Sequence, residues 1–277
     1  MISYGERLTA VTTARGRLCV GIDPHPGILA SWDLPFDASG LERCARGMVE
    51  ALGDLVPVFK PQSAFFEAYG AAGVAVLERT LSDITDAGAL SLLDVKRGDI
   101  GSTMAAYAAA YLADGSPLAA DAITLNPYLG FGSLDRAIDL AVGSGRGVYV
   151  LALTSNPEGP AVQQATIHDG RTVGQLIIDE AAGRNPGPGL GSVGVVVGTT
   201  ISAPEIDFGT LNGSILAPGL GAQGATAIDL ARVFGAARTQ VLPAMSREVM
   251  GGGPAAAGLR DAVRRALGEM AAVLAVG

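Results

Sequence analysis

The stretch Leu92-Leu93-Asp94-Val95-Lys96-Arg97-Gly98-Asp99-Ile100 joins an apolar run to two carboxylates and an ammonium, Asp94, Lys96 and Asp99. If Leu92 to Lys96 is a strand, Asp94 and Lys96 point to the same side, because strand side chains alternate with period two. Asp99 then lies just past the strand end, where the chain turns toward a helix. Charges at the mouth of an apolar strand are expensive to desolvate. They are tolerable where they neutralise one another, and useful where a reaction develops charge beside them. By themselves they fit a solvated strand end with an incidental ion pair equally well.

The rhythm around this stretch decides the fold. Strands are expected at Leu18–Asp23, Val56–Lys60, Ala89–Lys96, Ala122–Asn126, Val148–Thr154, Val193–Thr199, Ser214–Ala217 and Val241–Ser246. Helical spacing falls between them, at Gly40–Leu52, Gly73–Ala87, Ser102–Ala113, Leu134–Val142, Val173–Ala182, Pro204–Leu211 and Ala227–Phe234, and a last helix at Ala257–Val273. Eight strands alternating with eight helices predict a parallel α/β architecture, a (β/α)8 TIM barrel formed by residues 1–277 as one catalytic domain. A doubly wound open sheet is the alternative. It would carry its phosphate loop in the first strand-to-helix turn, where this chain has Asp23-Pro24-His25-Pro26. The irregular stretches Ser155 to Arg171 and Arg184 to Gly191 read as an active-site loop and a surface insertion.

Composition narrows the chemistry. The 277-residue chain is 49% hydrophobic and 17% charged with a net charge of -8, which argues against a nucleic-acid surface. Cys19 and Cys44 are too few for a disulfide framework or a thiolate metal cluster, so a reducing cytoplasm is the expected home. His25 and His168 are the only histidines, leaving little for a histidine metal centre. No signal-peptide core or membrane-spanning apolar run is seen.

With the strands placed, polar residues gather at carboxyl-terminal strand ends, the face on which barrel enzymes build their sites. Asp23 ends the first strand, Lys60 the second, Asp94 and Lys96 the third, Thr154 and Ser155 the fifth, Ser246 and Arg247 the eighth. Two lysines and two aspartates from three adjacent strands would converge on one small volume. A phosphate site is suggested separately by Ala217-Pro218-Gly219-Leu220-Gly221-Ala222-Gln223-Gly224 after the seventh strand. Its glycines let backbone N–H groups approach an anion, and Arg247 can contact phosphate oxygens in a charge-assisted manner.

These residues resemble the orotidine 5′-monophosphate decarboxylase family over nearly the whole chain. Asp94-Val95-Lys96-Arg97-Gly98-Asp99-Ile100 matches the family's Asp-x-Lys-x-x-Asp-Ile signature, with Thr103 in the expected place after it. Further matches are Gly21-Ile22-Asp23, Lys60, Pro218-Gly219-x-Gly221-x-Gln223-Gly224 and Arg247. The Ser246-Arg247 ending and the length are similar to the longer bacterial (type 2) branch found in high-GC bacteria.

The resemblance implies decarboxylation of orotidine 5′-monophosphate (OMP) to UMP, the last step of de novo pyrimidine synthesis, with no metal and no organic cofactor. Lys60, Asp94, Lys96 and Asp99 would be catalytic. Asp23, Ile100, Thr103, Ser155, Pro218, Gly219, Gln223, Gly224, Ser246 and Arg247 would bind substrate. It also implies a homodimer in which Asp99, Ile100 and Thr103 serve the partner's site. Ser155 matches a serine that short members place against the pyrimidine. The loop beyond it is longer here, and Gln163 and Gln164 receive no role. Two other readings remain: a related lyase using a metal-stabilised enediolate, which needs an acidic residue where Lys60 stands, and a nucleotide sensor, which has no need of Lys96.

Overall fold

A computed structural model describes residues 1–201, 206–221 and 224–274. Eight parallel strands close into a barrel in sequential order: β1 (Cys19–Ile22), β2 (Val58–Pro61), β3 (Leu90–Arg97), β4 (Ala122–Leu125), β5 (Gly147–Leu153), β6 (Val193–Val197), β7 (Ile215–Pro218) and β8 (Val241–Met245). Every expected strand is present, shifted by a residue or two at its ends. β1 pairs with β8, so no edge is left open.

Period-two alternation sorts the side chains of each strand into two cores. Cys19, Val58, Leu90, Leu92, Ala122, Tyr149, Val196, Leu216, Leu242 and Ala244, from all eight strands, pack inside the barrel. The opposite faces, with residues such as Val20, Phe59, Leu93, Ile123 and Val195, pack beneath the surrounding helices. Each large apolar side chain so buried contributes about 1.5–3 kcal/mol. On β3 the inward set continues from Leu90 and Leu92 to Asp94 and Lys96. The charged pair therefore stands directly above the interior core.

Seven of the eight expected helices are observed, at Ala38–Leu52, Gly70–Asp86, Gly101–Leu112, Asp135–Gly143, Val173–Gly183, Ala227–Phe234 and Ala256–Leu274. The exception is the helix expected over Pro204–Leu211. Residues 206–211 are irregular, and Pro204 and Glu205 lie outside the described residues. Asp207 is the physical reason. Its carboxylate accepts from the Gly209 amide at 2.7 Å, while Gln175 bonds both its amide and its carbonyl. A short polar side chain that bonds nearby backbone competes with helix.

The helix Tyr4–Arg15 was not anticipated, although Ser3 and Glu6 form a capping box at its start. It closes the amino-terminal end of the barrel. Tyr4 lies edge-on to Tyr149, with the hydroxyls 3.1 Å apart. Arg7 pairs with Asp121, just before β4, and Arg15 donates to the carbonyls of Gly53 and Val56 before β2. With one end sealed, the open end is the carboxyl-terminal face.

The long loop after β5 also has structure of its own. A short helix, Pro160–Gln163, is followed by an antiparallel bridge between Thr166 and Thr172.

Candidate active site

Lys60, near the end of β2, places its Nζ 3.0 Å from Asp94 Oδ2, and Lys96 Nζ lies 2.6 Å from Asp94 Oδ1. Lys60 and Asp94 are nearly buried, with side chains 10% and 9% exposed, whereas Lys96 is 44% exposed. Moving a carboxylate into such a site costs several kcal/mol after relaxation. An ion pair in surroundings of effective dielectric about 20 returns about 4 kcal/mol at 4 Å, so one cation barely compensates. Two are present. Burial alone would raise the Asp94 pKa, but the ammoniums of Lys60 and Lys96 overcome it and hold the carboxyl well below its usual range. Burial likewise pushes the Lys60 pKa down, while Asp94, with Asp23 behind it, outweighs burial and raises it. Lys60 and Asp94 are therefore fixed in their charged forms.

Thr124, in β4, is a site residue that the sequence reading missed. Its hydroxyl donates to Asp94 Oδ1 at 2.8 Å and accepts from the Lys96 amide at 2.9 Å. The available signal was slight: Thr124 follows Ala122 by two residues and so shares its inward face. Gln62 was missed as well, and accepts from Lys60 Nζ at 3.3 Å.

The remaining candidates divide into three groups. Asp23, Lys60, Pro218, Gly219, Ser246 and Arg247 line one cavity of about 120 Å³ at the carboxyl-terminal ends of β1, β2, β7 and β8. One oxygen of Asp23 is buried there without a partner. Gly219, at φ +111°, makes a turn that L side chains rarely adopt, and Leu220 and Ala225 bridge across the glycine loop. Gly224 closes that loop by donating to the Gly221 carbonyl at 2.7 Å. Gln223 lies outside the described residues. Arg247 is exposed and has no ion-pair partner among the described residues.

Ser155 follows β5 and crowds Gly198, and its Oγ is buried without a hydrogen-bond partner. Gln163 is committed to the loop's architecture. It accepts from the Thr154 amide at 2.8 Å and donates to the Thr154 hydroxyl at 2.7 Å.

Asp99, Ile100 and Thr103 form the third group, and they do not join the site of their own chain. Gly98 packs against the Asn126 carbonyl, which a Cβ would meet at 2.1 Å, so no side chain fits at that point. Asp99 accepts from the Ile100 amide at 2.7 Å and makes no ion pair among the described residues. Ile100 is 63% exposed, and Thr103 is exposed one turn into its helix. Between the two groups, Arg97 turns outward to pair with Glu67 at 2.6 Å and stack on Tyr107.

A closed (β/α)8 barrel with a lysine–aspartate–lysine array, and an arginine without an ion pair among the described residues beside a glycine loop, is laid out as an enzyme for a phosphorylated substrate. The comparisons with known proteins agree. The sequence profile of the orotidine 5′-phosphate decarboxylase / HUMPS family matches residues 16–262, and the chain belongs to that family. It is 59% identical over 275 residues to the orotidine 5′-phosphate decarboxylase of Salinispora arenicola, covering 99% of both chains. Against the Streptomyces coelicolor protein of the same name it is 55% identical, covering 96% of both. A crystal structure from Streptomyces avermitilis superposes with a TM-score of 0.97 at 53% identity, over 100% of this chain and 97% of that one. The structure of Leishmania donovani OMP decarboxylase superposes with a TM-score of 0.77 at 27% identity over the full length of both.

Proposed function

We propose that residues 1–277 form a single catalytic barrel that decarboxylates OMP to UMP without metal or organic cofactor. The observation that carries the reading is the Lys60–Asp94–Lys96 array at the ends of β2 and β3, with both ammoniums in contact with one buried carboxylate. Breaking the C6–carboxylate bond releases CO₂ and leaves the electron pair on C6, where the pyrimidine ring delocalises it poorly. Lys96, the exposed member, stabilises that charge and gives its proton to C6, then recovers a proton from solvent. Asp94 lies beside the departing carboxylate. The strain from that like-charge contact counts for less than the charge stabilisation.

The phosphate falls to Pro218, Gly219, Gln223, Gly224, Ser246 and Arg247, the ribose to Asp23, and the pyrimidine to Ser155. Remote contacts to the phosphate supply binding energy used at the reacting carbon. Asp99, Ile100 and Thr103 complete the site of a second copy of the chain in a homodimer. Asp99, which makes no ion pair among the described residues, together with exposed Ile100, Tyr128 and Leu129, supports that assignment. In the dimer, Lys60 and the second copy's Asp99 hold Asp94 and Lys96 in place.

The family profile also spans HUMPS enzymes, and a metal-dependent enediolate reaction is the rival within it. Such chemistry needs a carboxylate on β2, where the Lys60 ammonium would instead repel a cation. The relatives named decarboxylase at 55–59% identity favour the same choice. A cytoplasmic setting fits the free, buried Cys19 and Cys44, and no described helix is long and apolar enough to cross a membrane.

The deciding experiment follows the orotate absorbance after OMP is added to the protein in excess EDTA. The chromophore is expected to disappear. No loss, or loss only after Mg²⁺ is restored, overturns the proposal.

A further inference from the structure

The bonds of Thr124 coincide with an irregularity in β3. Leu93 pairs with Ile123 and Arg97 with Leu125, so β3 advances four residues where β4 advances two. The two extra residues fall within Asp94, Val95 and Lys96, and Thr124 is the β4 residue opposite them. Bulges beside active sites re-aim side chains. Within this one, Lys96 has φ +45°, a left-handed conformation that non-glycine residues rarely adopt.

Such a conformation persists only where its surroundings over-determine it. In a regular ladder the Lys96 amide would bond a β4 carbonyl; here it bonds the Thr124 hydroxyl. The single proton of that hydroxyl then points to Asp94 Oδ1, the same oxygen that meets Lys96 Nζ. One buried hydroxyl, on a residue 1% exposed, thus joins the backbone of Lys96 to the carboxylate of Asp94.

We propose that Thr124 is a positioning residue, whose hydroxyl fixes the left-handed backbone of Lys96 and the plane of the Asp94 carboxylate together. The proposal rests on the decarboxylase reading above. A hydroxyl is required for the two roles at once: it accepts from an amide and donates to a carboxylate, which neither an amide carbonyl nor a second carboxylate could do. A valine would fill the same space and do neither.

The test uses Thr124→Val and Thr124→Ser in the full-length protein, measuring kcat and KM for OMP, UMP affinity, and crystal structures of both variants. Thr124→Val is expected to lower kcat by roughly 10- to 100-fold, the scale of a small misplacement of a reacting group. KM and UMP affinity should stay within about threefold, because Thr124 touches neither phosphate nor ribose residues, and Thr124→Ser should recover most of the lost kcat. In the valine crystal, Lys96 should leave the left-handed region or the Asp94 carboxylate should rotate. Three results overturn the proposal: kcat of the valine variant within twofold of wild type, a serine variant as impaired as valine, or an unmoved Lys96 and Asp94. A wild-type enzyme that does not consume OMP would instead sink the decarboxylase reading. The valine crystal would still decide whether Thr124 sets this backbone.

Discussion

Lys60 and Asp94 face each other across β2 and β3 at 3.0 Å, both about nine-tenths buried. Each is the reason the other can carry charge there. The pair's signs set its pH dependence. The Asp94 pKa is depressed in the folded protein, so its contribution is complete above the unfolded carboxylate range and lost as pH falls through the folded value. The Lys60 pKa is raised, so its contribution is complete below the unfolded lysine range and lost as pH rises through the folded value. Between about pH 4 and pH 10, the unfolded values for the two groups, the pair should contribute a constant stabilisation.

Replacing Asp94 with Asn should therefore do more than remove a catalytic group. It leaves the Lys60 ammonium buried with no contact counter-charge, a loss on the order of 3 kcal/mol. Desolvation then depresses the Lys60 pKa below its unfolded value, which reverses the sign of the linkage. Relative to wild type, the variant should gain stability as pH rises from 7 toward 10. Urea unfolding at several pH values measures this. A stability difference from wild type that stays flat across that range would mean Lys60 has found another anion.

Lys96→Ala should abolish turnover while leaving UMP binding largely intact. Lys96 is the exposed cation of the array, and the product has no developing charge for it to meet. Loss of an essential acid and electrostatic group costs at least about 10²–10³ in rate. Turnover assays paired with calorimetric UMP titration separate the two effects. A variant within tenfold of wild type removes Lys96 from the role of proton donor.

Much of this was legible because two kinds of sequence signal coincide. β-strand periodicity placed Asp94 and Lys96 on the inward face and put Asp23, Lys60, Ser155 and Arg247 at strand ends; the barrel then brought Asp23, Lys60 and Arg247 to one cavity. What stayed hidden depends on contacts that periodicity does not encode. The left-handed Lys96 and the Thr124 hydroxyl arise from a register slip between β3 and β4, which is a property of two strands together. The helix wrongly expected over Pro204–Leu211 failed because Asp207 and Gln175, distant in sequence, bond one another's groups. The barrel-closing helix Tyr4–Arg15 carries a capping signal, but its weak amphipathic pattern gave no sign of the Tyr149 contact.

Arg247→Ala should weaken OMP binding severely yet leave turnover of the phosphate-free nucleoside close to the wild-type value. The exposed guanidinium shares a cavity with Gly219, and on the proposed reading it would meet the phosphate dianion alone. Comparing kcat/KM for nucleotide and nucleoside in both enzymes tests this. Equal damage to both substrates would make Arg247 a structural residue or one acting directly on the ring.

Asp99 gives the sharpest test of assembly. It lies beyond β3, just before the helix Gly101–Leu112, and has no ion pair among the described residues. A two-fold interface would use this patch on both subunits and create two equivalent composite sites. Asp99→Ala and Lys96→Ala proteins should each be inactive alone, yet recover activity when mixed and allowed to exchange subunits. In the mixed dimer one site carries both lesions and the other carries neither. Random exchange makes half of the dimers mixed, so about a quarter of all sites should be intact. Activity near that fraction, appearing at the rate of subunit exchange, is the expected result. If exchange is verified by mass spectrometry and no activity returns, Asp99 acts within its own chain.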